Sequence, residues 1–127
     1  SAMTKISKAL RKMEFSQENG TDIFNTVKSF VNTYNNLLES AGSSNEYGIY
    51  HPEKFVKNLT KDQEDALKDL GITISASGKL KLDEDTLMGS KPSKIGKLFS
   101  EDSDFTNKIN FYANKIYRAA SHVDITL

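Results

Sequence analysis

Two stretches of the chain place apolar residues at the same uneven step. In the first, Ile23, Val27, Phe30, Tyr34, Leu37 and Ala41 follow one another at 4, 3, 4, 3 and 4 residues. In the second, Phe105, Ile109, Tyr112, Ile116, Ala119 and Val123 repeat that step. This spacing gathers apolar side chains on one stripe of an α-helix, so it predicts two long helices, over 22–41 and 103–123. Phe24, Val31 and Leu38 widen the first stripe. Thr21 or Asp22 stands where a cap is expected, and Gly42 where a left-handed terminal residue is expected. Asp102, Ser103 and Asp104 bring capping groups and complementary charge to the head of the second helix.

Between the two stretches the period changes. Ile72 and Ile74, then Leu80 and Leu82, alternate with polar neighbours around Ser75-Ala76-Ser77-Gly78. That alternation predicts a β-hairpin over 72–82, with Gly78 supplying positive φ in its turn. A lone two-stranded hairpin is marginal in water, so helices must cover its apolar face.

Short helical signals surround the hairpin. Pro52 suits the first turn of a helix carrying Phe55, Val56 and Leu59. Thr60-Lys61-Asp62-Gln63 reads as a capping box, which predicts a bend near Leu59-Thr60 and a new helix with Ala66, Leu67 and Leu70, ending at Gly71. Asp83 can cap a turn holding Leu87 and Met88, and Pro92 opens another helix with Ile95, Leu98 and Phe99. At the N-terminus, 3–20 reads as an amphipathic arm, with Ile6, Ala9, Leu10 and Met13 opposite Lys5, Lys8, Arg11 and Lys12. Ser1-Ala2 before Met3 reads as an expression scar and is left out of the fold. The expected fold is mainly α (α+β), a single domain over 3–127. It pairs the two long helices antiparallel, with a small helical unit over 52–99, hairpin included, packed at one end.

Composition narrows the partners. Seventeen basic and seventeen acidic side chains cancel, leaving no global field for nucleic acid or an anionic membrane. No apolar run approaches a membrane span. The chain has no cysteine, so disulfides and thiol chemistry are excluded. No cleavable signal is expected, and the compartment stays open between cytoplasm and export.

Candidate chemistry is sparse. Gly78-Lys79 fails as a phosphate loop, because Leu80 stands where Ser or Thr must meet magnesium. Asp83, Glu84 and Asp85 lack the alternating ligands of a calcium loop and read as a helix start. His51 and His122 lack partners at metal-ligand spacing. Tyr47, Tyr50 and His51 share a polar loop, which leaves a ligand pocket as the one enzymatic alternative. No catalytic, cofactor or metal residue is expected.

Two segments together resemble a known family. Phe30-Val31-Asn32-Thr33-Tyr34-Asn35-Asn36-Leu37 is similar to an FV-x-x-YN-x-L stretch in the C-terminal region of the bacterial flagellar filament-capping protein, hook-associated protein 2. Downstream, Leu70-Gly71-Ile72-Thr73, Gly78-Lys79-Leu80, Leu82-Asp83, Leu87 and Lys97-Leu98-Phe99 follow that family's order and spacing, so the resemblance covers 30–99. Members of that family form a cap at the filament tip, and their C-terminal region joins helical segments to a small packed unit. The resemblance therefore implies a structural, non-enzymatic module that acts through helix–helix contacts, with flagellar components as partners and no cofactor. The alternative is a small cytoplasmic regulator or export-chaperone-like protein that reuses the fold. In either case a protein partner or a second copy of the chain is expected on the apolar edge left outside the stripes. Phe24, Val31, Phe111 and Tyr117 are the candidate contact residues; the competing reading is that they cover the N-terminal arm.

Overall fold

The computed structural model describes residues 1–44 and 52–125, with side chains placed for 1–41 and 52–118. In chain order it comprises α1 (Ala2–Lys12), a 3-10 turn (Gln17–Asn19), α2 (Gly20–Ser44), α3 (Pro52–Asp62), α4 (Glu64–Asp69), β1 (Ile72–Ile74), β2 (Leu80–Leu82), α5 (Glu84–Met88), α6 (Pro92–Phe99) and α7 (Phe105–Ile125). The fold is mainly helical with one two-stranded antiparallel sheet.

The core gathers around Phe30. Its ring lies 5.3 Å from Phe99, 5.9 Å from Phe105 and 6.1 Å from Tyr34, so α2, α6 and α7 meet in one aromatic cluster. Tilted and edge-on rings at these distances add to the burial of their area. Ile23, Val27, Leu37 and Ala41 extend the cluster along α2, while Ile109, Ala113 and Ile116 extend it along α7.

The two long helices touch, but not as an antiparallel pair. Ser1 Oγ donates to Asn114 and Thr4 Oγ1 to Asn110, so α1 and α7 run in opposite directions. Phe55 stacks on Tyr112 while Asp62 lies near Asp104, so α3 also opposes α7. Along α2, Tyr34 adjoins Thr60, whereas Glu39 adjoins Lys79 in the hairpin whose Gly78 meets Lys57. Thus α3 opposes α2 as well, and α2 and α7 ascend together. The reason is connectivity. The chain leaves α3 and enters α7 at the same end, so α7 must retrace the direction of α2.

The hairpin is held on the flank of α2 rather than at one end of the helical pair. Ile72 faces Leu82 and Ile74 faces Leu80 in register, with Ile72 and Leu80 buried. Gly78 takes φ +91°, its N–H donates to Ser75 O (2.9 Å), and Ser75 N–H donates to Lys79 O (2.8 Å). This is a three-residue loop closed by a left-handed glycine. The Asn35 side chain then clamps the strand: its amide donates to Leu80 O (2.9 Å) and its carbonyl accepts Leu80 N–H (2.8 Å). A helix side chain thus supplies the pairing that a third strand would give to β2. Lys28 to Glu84 (3.1 Å) and Lys79 to Glu39 add ion pairs along the same flank.

Several local expectations shift. The first long helix begins at Gly20, straight from the 3-10 turn, and continues past Gly42 to Ser44. Thr60 does not cap a helix: its hydroxyl donates back to Val56 O (2.9 Å) inside α3, and the break falls at Gln63. Ser1, set aside as a scar, caps α1 by accepting Thr4 N–H. Ala9 and Ala66 are exposed, and Ser7 rather than Ile6 or Ala9 joins Met3 and Leu10 on the buried side of α1. Tyr112 turns to the edge of α7 while Ala113 enters the core. The Asp83 cap, the Pro92 start and the φ of +87° at Gly71 fall where the sequence puts a cap, a start and a helix end.

Candidate interaction surface

On α7, the face between α1 and α3 carries its most exposed aromatic group. Phe111 is 56% exposed. Its ring meets Tyr112 edge-on at 5.1 Å, and Lys115 Nζ sits 4.9 Å above it. Across the α3–α7 boundary, Phe55, 45% exposed, stacks on Tyr112 at 5.0 Å with planes 6° apart. These rings line a groove of about 550 Å³ together with Leu59, Asn58, Asp62, Asp104, Asn107 and Lys108. Two of the three large exposed apolar residues among the described ones thus converge on one face. Exposed apolar surface of this kind, rimmed by polar groups, marks contact sites.

The four candidate residues do not share that face. Phe111 stands at its centre. Val31 is buried, only 4% exposed, and belongs to the core cluster rather than to an open surface. Tyr117 is half-buried against α1 through a hydrogen bond with the Met3 backbone, and burial pushes its phenol up from the usual tyrosine value. Tyr117 thus lies against α1, as the competing reading has it, while Val31 is a core residue. Phe24 lies elsewhere, in a groove of about 630 Å³ with Leu87, Met88, Pro92 and Ile95. The sequence places Tyr112 in the second stripe and Phe55 on the short helix opened by Pro52, and marks neither as surface.

The charged residues singled out for chemistry in the sequence are engaged in structural contacts on the flank of α2 and at the head of α5. Lys79, which invited the phosphate-loop comparison, pairs with Glu39. Glu84 pairs with Lys28, and Asp83 accepts Thr86 N–H as a cap. Among the described residues, no group of three His, Cys, Asp or Glu is placed to hold a metal ion, and no helix is long and apolar enough to cross a membrane. The proposed ligand pocket of Tyr47, Tyr50 and His51, and the side chain of His122, lie outside the described residues. Comparison with family models, with curated proteins and with solved structures gives no match.

Proposed function

We propose that this chain is a non-enzymatic interaction module that binds a protein chain through the aromatic face of α3 and α7. One observation carries the reading: Phe111, Tyr112 and Phe55 form a continuous aromatic patch on two rigid helices, with charged groups at its margins. Aromatic groups at the centre of a surface with a polar rim are the usual carriers of binding energy between proteins. Because the rings are held by helices rather than loops, little ordering is lost on contact. The resemblance of 30–99 to the filament-capping family makes a flagellar component the first heterologous partner to try. A soluble cytoplasmic client would use the same face.

A photo-crosslinking residue in place of Phe111 tests the reading in cells. The same residue in place of Thr73, exposed on the far side of the hairpin, is the control. Adducts of any defined mass from position 111 and none from position 73 are expected. Absence of adducts from both 111 and 55, with the chain folded and abundant, would overturn the assignment of this face.

A further inference from the structure

Charge along the aromatic face is arranged with opposite signs at its two ends. Asp104, Phe111 and Arg118 are seven residues apart, so they fall on one stripe of α7, about 20° out of line per step. Asp62 of α3 lines the groove beside Asp104, which makes the lower end acidic. Lys115 and Arg118 make the upper end basic. Phe111 stands halfway between, and Phe55 meets Tyr112 at nearly the same level. Asn110 and Asn114, which face Thr4 of α1, bound the stripe on one side. Tyr112, stacked on α3, bounds it on the other.

Building on the reading of this face as a binding surface, we propose that its occupant is a second copy of the chain, docked about a two-fold axis beside Phe111. A two-fold contact sets each residue against a partner that is set against it in return. With the two α7 helices antiparallel, Phe111 meets its own counterpart. Asp104 then faces Arg118 of the other copy, Lys108 faces Asn114, and Asn107 faces Lys115. No like charges on α7 fall opposite one another, and each favourable pair occurs twice. With the helices parallel, Asp104 would face Asp104 and Arg118 would face Arg118. The sequence of charges therefore selects the antiparallel dimer as well as the partner, as complementary potentials do in register-specific contacts.

Sedimentation of the purified chain at low ionic strength tests the inference. Wild type is expected to dimerise, and Phe111→Ser to remain monomeric at concentrations where wild type pairs. Asp104→Arg and Arg118→Asp each place like charges opposite twice, and each should weaken dimerisation roughly tenfold or more. The decisive sample is their equimolar mixture. Each Asp104→Arg chain then offers its substituted position to the other variant's substituted position, and heterodimers should form where neither variant pairs alone. Both substitutions lie on exposed positions; Asp104→Arg also reverses a charge at the head of α7, so the fold of each variant is checked by circular dichroism and, if it is perturbed, Asp104→Asn with Arg118→Gln serves as the milder pair. Wild type that stays monomeric throughout, or a mixture no more associated than its components, overturns the inference. Crosslinks from position 111 at a mass other than twice the chain would then leave the binding face standing with a different occupant. No crosslinks at all would remove the face itself.

Discussion

Every stripe position of α2 from Ile23 to Ala41 is buried, whereas α7, built on the same step, leaves Phe111 exposed and Tyr112 half-buried. The difference lies in what each helix has beside it. Alongside α2 run α1, the aromatic residues of α6 and α7, and the hairpin that Asn35 clamps in place. On α7, among the described residues, the ring of Phe111 between α1 and α3 meets its helix neighbours Tyr112 and Lys115 and stays 56% exposed. An apolar step tells which side of a helix seeks cover; the rest of the chain decides whether cover is present. Phe111, outside the stripe and 56% exposed, is the aromatic that the described residues leave open on α7, and we assign it to a partner.

The largest effect that would break this comparison is the exchange of stability costs between the helices. Phe30→Ala removes the ring that Tyr34, Phe99 and Phe105 surround, and a cost of about 3–5 kcal/mol is expected from lost burial and the remaining cavity. Phe111→Ala, measured as monomer at high dilution, should change stability by no more than about 0.5 kcal/mol. Urea unfolding of both variants checks the pair. Equal costs would mean that Phe111 is a core residue and that the face on α7 is no surface.

Ionisation of Tyr34 comes next in size. Its hydroxyl is buried beside Thr60 without a hydrogen bond of ordinary geometry. Burial pushes its pKa up to about 12 from 10.0. A phenol whose pKa is raised on folding binds its proton more tightly in the folded state. Its contribution is full below pH 10 and is lost as pH rises towards 12, amounting to roughly 2–3 kcal/mol for a shift of this size. Alkaline melting should therefore steepen in that window and flatten in Tyr34→Phe.

Much of this contrast was legible residue by residue, and the limits follow from range. Asp83 and Pro92 act on backbone within a turn of themselves, and Gly71 and Gly78 answer to their own φ, so helix starts and the hairpin turn could be read directly. Thr60 misled because a hydroxyl that can cap can equally bond back four residues within a helix, and Val56 wins when the side chain is buried. The common direction of α2 and α7 depends on where α3 ends and α6 delivers the chain, which no local pattern encodes. Phe55 and Tyr112 stack across two helices 57 residues apart in sequence, so the patch became visible only when α3 was laid against α7. Phe111 alone could be picked out beforehand, as an aromatic outside the stripe.

A smaller effect sharpens what covers α2. Asn35→Ala leaves Leu80 N–H and C=O without the clamp, and a buried polar group stripped of its partner costs about 1–3 kcal/mol. The loss should be confined to the hairpin: faster hydrogen exchange at Leu80, with amides of α7 unchanged. If exchange rises across the whole chain instead, the hairpin is integral to the core and the cover on α2 is not a separable layer.

The smallest expected effect concerns the ion pairs that tie that cover down. Glu39 is fully exposed, and its carboxyl is held below its ordinary 4.5 by the hydrogen bond and charge of Lys79. A lowered carboxyl pKa contributes stability above pH 4.5 that is lost as pH falls through the folded value. Solvent and salt screen such a pair, so Glu39→Gln should scarcely alter stability at neutral pH and should slightly reduce its fall in acid. The informative readout is positional. On α2 the change should appear in the exchange of hairpin amides near Lys79, because the ion pair joins two elements of one chain. Arg118→Asp on α7, in contrast, should leave every intrachain amide as it was and alter only association. If Arg118→Asp instead loosens amides within its own chain, then charge on α7 is spent on holding the fold, and the two helices differ less than their burial implies.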